Sequence, residues 1–219
     1  MPAIARQIAL SVLDGLDNSD TTLDSLLVNV LAQESRLVRR DRALIKELVY
    51  GVLRWRGKLD WIIKELSSTP FRKINPQVLN IIRLGVYQLL FLSKIPSSAA
   101  VNDSVELAKE KAPRWVIPYV NAVLRSATRK AKTIPLPSSK EDPVLAIAIG
   151  DSHPPWMVER WVRQMGVEET KALCSANNRI PPVTIRVNTL KVTRESLSRV
   201  LAPYVNEVRP TNYAPEGLI

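Results

Sequence analysis

Through residues 4–130, apolar side chains recur every three to four positions in one stretch after another, and no stretch alternates apolar with polar as a half-buried strand would. That single pattern excludes a sheet from more than half of the chain and predicts an all-α bundle. Ile4, Ile8, Val12 and Leu16 step by four and mark a first amphipathic helix. In "DTTLDSLLVNVLAQE", Leu23, Leu27, Val30 and Leu31 share a face, with Thr21 and Asp24 spaced for an N-terminal cap. "RDRALIKELVYGVLRWRGKLDWIIKEL" is a long apolar and basic helical stretch, expected to break near Gly57. "NPQVLNIIRLGVYQLLFL" opens with Asn75 as cap and Pro76 at the first helical position, where a missing N–H costs nothing. "SSAAVNDSVELAKEKA" begins at Ser97 or Ser98 as cap, and "RWVIPYVNAVLRSATRKAK" closes the set.

Six of the sixteen prolines fall in the first 132 residues and ten in the last 87. This shift, together with "KTIPLPSSKEDP", predicts a helical domain over 1–132, a Pro/Ser linker over 133–143 and a second region over 144–219. In that region "DSHPPWMVERWVRQM" predicts a helix started by the double proline and ended by Gly166, followed by a short helix in "EETKALCSANN". Val183, Ile185 and Val187 then alternate with polar residues as a strand. "TRESLSRVLAPY" reads as a helix and "VNEVRP" as a second strand. The fold class expected is therefore mainly α: an all-α bundle, then a small α+β strand-helix-strand domain that looks incomplete at its C-terminus, because so small a sheet is marginal alone.

Composition narrows function. With 46% apolar and 24% charged residues and a single cysteine, the chain reads as an ordinary globular protein of a reducing, cytoplasmic compartment, with no disulfide and no membrane partner. The net charge of +10 is localised: residues 51–135 hold 15 Lys/Arg against 5 Asp/Glu, while 1–50 hold 6 against 7 and 136–219 hold 10 against 9. A basic excess confined to one segment is the footprint of a polyanion-binding surface, with RNA or DNA as partner.

Catalytic chemistry is sparse. The seven glycines never fall as G-x-G, so no phosphate- or nucleoside-cradling loop is present. One histidine, His153, and one cysteine, Cys174, fall short of the three or four ligands of a zinc site. His153, before two prolines, reads as part of a helix start, and Cys174 as a buried, inert thiol. No catalytic, cofactor-binding or metal-ligating residue is predicted.

Particular segments carry a family resemblance. "RDRALIKELVYGVLRWRGKLDWII" (40–63) and "IPSSAAVNDSVELAKEKAPRWVIPYVNAVLR" (95–125) resemble, in order and separation, the helices of NusB-like RNA-binding domains. Asn102 and Asn121 belong to that pattern and are expected as buried polar ties between helices. "HPPWMVERW…ALCSANNRIPPVTIRVNTLK…YAPEGLI" is similar to the segment that follows such a domain in bacterial 16S rRNA cytosine-C5 methyltransferases of the RsmB (Sun/Fmu) type. The resemblance implies an RNA-binding N-terminal portion, with 16S rRNA as partner. It also implies a catalytic domain elsewhere that binds S-adenosylmethionine and carries a cysteine nucleophile and a Pro-Cys motif. Neither motif occurs here, so this chain is expected to be inactive in methyl transfer by itself. Two other readings stay open: a stand-alone NusB-like transcription antitermination factor, hence a regulator of transcription, and a helical protein-interaction adaptor.

The candidate RNA-binding residues are Arg54, Arg56 and Lys58 around Trp55, and Arg125, Arg129, Lys130 and Lys132 in the last helix of the bundle. Arg125, Arg129 and Lys132 recur at i, i+4 and i+7, away from a core stripe expected at Ile117, Val120, Leu124 and Ala127. Arg72-Lys73 and Arg114-Trp115 are further basic sites, and Trp55 and Trp115 are candidates to stack on a base.

Overall fold

The computed structural model describes residues 4–34 and 37–219; Arg36 of the charge count lies outside them. Two compact units divide after Asn177. Among the described residues the first holds ten α-helices: α1 (Ile4–Asp17), α2 (Leu23–Gln33), α3 (Arg39–Arg54), α4 (Arg56–Leu66), α5 (Pro76–Phe91), α6 (Ser97–Lys111), α7 (Ile117–Lys130), α8 (Pro143–Gly150), α9 (Pro155–Met165) and α10 (Val167–Asn177). The second holds β1 (Ile185–Arg186), α11 (Arg194–Leu201) and β2 (Gly217–Leu218).

Local chemistry sets most of these limits. Asn75 Oδ1 accepts from the N–H groups of Gln77 and Val78 at 3.0 and 3.4 Å and starts α5 as expected, with Pro76 behind it. Pro154 and Pro155 start α9, and Gly166 at φ 84° ends it. Other ends move by a residue or two. Thr22, not Thr21, caps α2 through Ser25 N–H, and α6 begins after Pro96 with no side-chain cap from Ser97 or Ser98. The α3–α4 stretch breaks at Trp55, two residues before Gly57.

The bundle core runs through α1 to α7 and is centred on α5, where every residue from Val78 to Gln88 is buried. Ile8 and Val12 of α1 join it, but Ile4 stays 45% exposed at the helix start. Two polar networks lock α5 to its neighbours. Arg6 of α1 donates to Gln88 at 2.8 Å and pairs with Asp103 of α6 at 3.1 Å. Arg83 clasps Asp60 of α4 through two bonds of 2.7 and 2.8 Å and donates to Asn80 at 2.8 Å. Asn80 in turn donates to Asp14 and Asp17 of α1, and Arg56 reaches Asp17 at 2.9 Å. Burial pushes the Asp17 carboxyl up, but the Asn80 hydrogen bond and the charges of Arg56 and Arg83 outweigh it and hold the group below its usual value.

A third tie joins α5 to α3. Tyr87, stacked on Phe91, donates to Glu47 at 2.6 Å. Burial, and then the Glu47 hydrogen bond and charge, push its phenol well above the ordinary value of 10.0. The neutral phenol is thus favoured in the fold. Its contribution is complete below about pH 10 and is lost as pH rises through the higher folded value. Tyr87→Phe should cost roughly 0.5–1.5 kcal/mol at pH 8, and the gap to the parent should narrow in urea titrations run above pH 10. A gap that is constant from pH 8 to 11 would contradict this assignment.

Helices α8, α9 and α10 enclose a smaller core of Ile147, Ala148, Val158 and Cys174, and α8 packs on α4. Lys58 N–H, in the first turn of α4, donates to Ser152 Oγ at 2.9 Å. The Pro/Ser stretch read as a linker over 133–143 therefore joins α7 to helices that pack on the same bundle, and Trp61 Nε1–H even donates to Pro135 O.

In the second unit, β1 pairs antiparallel with β2 (Ile185 with Leu218, Arg186 with Gly217), and α11 lies between them in sequence. Thr193 caps α11 through Ser196 N–H. "VNEVRP" is not a strand: only its end pairs, with Arg209 and Ile219 exchanging both backbone bonds at 2.8 and 2.9 Å. The alternation at 183–187 is likewise shorter than expected. Val187 is buried, whereas Val183 is 84% exposed, and among the described residues no strand pairs with it.

Candidate nucleic-acid interface

Helices α6 and α7 each carry two faces with helical period. On α6, Ala100, Ser104, Leu107 and Ala108 enter the core, while Ser98, Val101, Asn102 and Val105, at i, i+3, i+4 and i+7, look out into an open groove. On α7, Val120, Val123, Leu124 and Ala127 are buried. Asn121, Arg125, Thr128 and Arg129 line the other side of the same groove, whose volume is about 920 Å³.

The groove corrects two expectations. Asn102 and Asn121 are not buried ties: Asn102 is exposed and Asn121 half-buried, and both line the groove. Ile117, assigned to the core stripe, instead lines the groove beside Pro118. The signal in the sequence is a second periodic set on each helix, Ser98, Val101, Asn102 and Val105 on α6 and Ile117, Asn121, Arg125 and Thr128 on α7.

Electrostatics mark the groove for an anion. Among the described residues no carboxylate lines it. Arg129 has no ion pair or hydrogen bond among the described residues, and Arg125 has only a 3.2 Å hydrogen bond to Asn121 Oδ1. Two arginines one turn apart repel each other when nothing negative lies between them.

The structure separates the other candidates from this pair. Lys130 ends α7 and Lys132 lies past it; both are exposed and neither lines the groove. Arg54, Arg56 and Lys58 sit at the α3–α4 joint. There Arg56 is engaged by Asp17, and the Lys58 ammonium lies 5.4 Å from the centre of the Trp55 ring. Trp55 is itself stacked on Phe91 at 5.0 Å, which leaves its face to the core. Trp115 differs: it is 80% exposed, in the short 3₁₀ turn Arg114–Val116 that leads into α7, two residues before Ile117.

His153 Nδ1–H donates to Asp151 O at 2.7 Å and the ring meets Trp161 edge-on, a local structural role at the start of α9. Cys174 is fully buried, and burial, reinforced by Asp151, pushes its thiol up, away from the reactive thiolate. Among the described residues no group of three or more His, Cys, Asp or Glu is placed to hold a metal, and no helix is long and apolar enough to cross a membrane.

A basic helical bundle with an arginine-lined groove is the arrangement expected of a nucleic-acid-binding domain. Comparison with known proteins is specific. The NusB family model matches residues 3–129, and the ferredoxin-like domain of RsmF/B-like methyltransferases matches 153–219. The chain belongs to the NusB family. It is 34% identical over 213 residues to the probable ribosomal RNA small subunit methyltransferase B of Bacillus subtilis, covering 97% of this chain and 47% of that protein. The protein of the same description from Synechocystis is 35% identical over 219 residues, covering 98% and 46%. The chain thus spans about half the length of the curated relatives it matches. Among solved structures, that of the antitermination factors NusB and NusE in complex with double-stranded RNA is similar, at 26% identity and a TM-score of 0.53, over 57% of this chain and 93% of that one.

Proposed function

We propose that this chain is the RNA-binding and connecting portion of an S-adenosylmethionine-dependent rRNA cytosine-C5 methyltransferase acting on small-subunit rRNA in the cytoplasm. The observation that carries the RNA contact is the pair Arg125 and Arg129, unneutralised in a groove that no carboxylate lines among the described residues. The ribosomal target is supported by the methyltransferase relatives, which match both parts of the chain, 3–129 and 153–219. A stand-alone antitermination factor would not account for the second match. A basic module of this kind supplies affinity and register, while base chemistry takes place in a separate pocket. The residues present do not fit S-adenosylmethionine: there is no G-x-G turn, and the one cysteine is buried with a raised pKa. No step of methyl transfer is therefore derived from them.

Replacing Arg125, Arg129 and Lys132 together by glutamine tests the contact. All three are exposed, so folding should change little. Affinity for structured rRNA fragments should fall for all sequences alike. The slope of log affinity against log salt should drop by roughly 0.7 for each single-strand phosphate contact removed. Unchanged affinity and slope would remove this surface from the reading.

A further inference from the structure

The groove between α6 and α7 has more in it than charge. Arg125 and Arg129 line it together with the hydroxyls of Ser97, Ser98 and Thr128. Val101, Val105, Ile117 and Pro118 give it an apolar lining, and the amides of Asn102 and Asn121 line it as well. Neither Asn102 nor the Asn121 amide nitrogen has a hydrogen bond within the chain among the described residues, so both can donate and accept outward. A phosphate alone would need the two arginines and would leave the apolar lining and the two amides without a purpose. A duplex would spread its phosphates over a surface, and its paired bases could not enter a concave space of about 920 Å³. A nucleobase is flat, apolar on its faces and polar at its edges, which matches this set of groups.

Resting on the RNA-binding reading above, we propose that the groove takes one unpaired nucleotide of single-stranded RNA. Its phosphate lies at Arg125 and Arg129, its base rests on Val101 and Val105, and Asn102 and Asn121 hydrogen-bond the base edge. The occupant is thus a single-stranded loop or junction, and the charge complementarity of the two arginines places its phosphate.

The test uses the full chain and two fluorescent RNAs of equal length, one single-stranded and one a blunt duplex. Two variants leave the groove's charge intact: Asn102→Ala, which removes an exposed amide, and Ser98→Trp, which fills the groove from an exposed position. Each should weaken single-strand binding about tenfold, in the range of one lost base contact, with the salt slope unchanged and duplex affinity held within about twofold. If both variants bind the single strand as the parent does, while the arginine-to-glutamine variant weakens both RNAs, the RNA-binding surface stands and the nucleotide pocket falls. Equal loss on single strand and duplex also overturns the pocket. If the parent binds neither RNA, both readings fail together.

Discussion

Asp60→Ala should destabilise the bundle by about 3 kcal/mol or more, a large share of the roughly 5–15 kcal/mol that holds a typical domain together. Asp60 is the two-pronged partner of Arg83, whose side chain is only 4% exposed. Without it, a guanidinium stays inside the fold with Asn80 as its one remaining hydrogen-bond partner. The Asp60 side chain is 25% exposed, so water reaches the vacated space and keeps the cost near the low end of the 3–5 kcal/mol range for a broken buried pair. The same reasoning makes the double variant Asp60→Ala/Arg83→Met less damaged than Asp60→Ala, since no charge is then stranded. Urea unfolding of the three proteins decides it. A single variant within 1 kcal/mol of the parent would show that the pair is not what joins α4 to α5.

Gly51→Ala should also destabilise, by up to about 2 kcal/mol, although alanine is the better helix former. Gly51 lies inside α3 against α5, and a Cβ there would stand 2.0 Å from Tyr87 Cζ and 2.2 Å from its oxygen. Tyr87 cannot easily yield, because Glu47 holds its hydroxyl and Phe91 its ring. The propensity gain of about 1 kcal/mol is smaller than the overpacking cost of about 1–3 kcal/mol. Tyr87→Leu opens the space, so the pair should show a coupling that makes the double variant more stable than the sum of the two losses predicts. Strict additivity in thermal or urea unfolding would contradict a direct clash.

Much of the bundle was legible because its signals are local. Asn75 before Pro76, the double proline before α9 and Gly166 after it act within one turn of the chain, and each appears where the sequence places it. The second unit was harder. The alternation at 183–187 and in "VNEVRP" suggested two paired strands, yet β1 pairs with residues 217–218, some thirty positions along the chain. Strand partners are non-local, and a period of two says only that a segment could pair, not with what.

The candidate site shows the same division within single helices. The amino-acid sequence alone determined that residues 4–130 are helical, that the excess positive charge gathers in 51–135, and which side chains share a helix face. It could not determine which face a neighbouring helix would cover. On α6 and α7 two periodic sets compete, and only packing sent Ser104 and Leu124 inward while leaving Asn102, Asn121 and Ile117 on the groove. Packing likewise stacked Trp55 on Phe91 and left Trp115 in solvent, and it gave Arg56 a carboxylate while leaving Arg129 without one among the described residues. Periodicity is a property of one helix, whereas burial and charge pairing belong to two elements at once. For that reason the sequence alone identified Arg125 and Arg129 as candidates, and the groove that both of them line exists only in the folded chain.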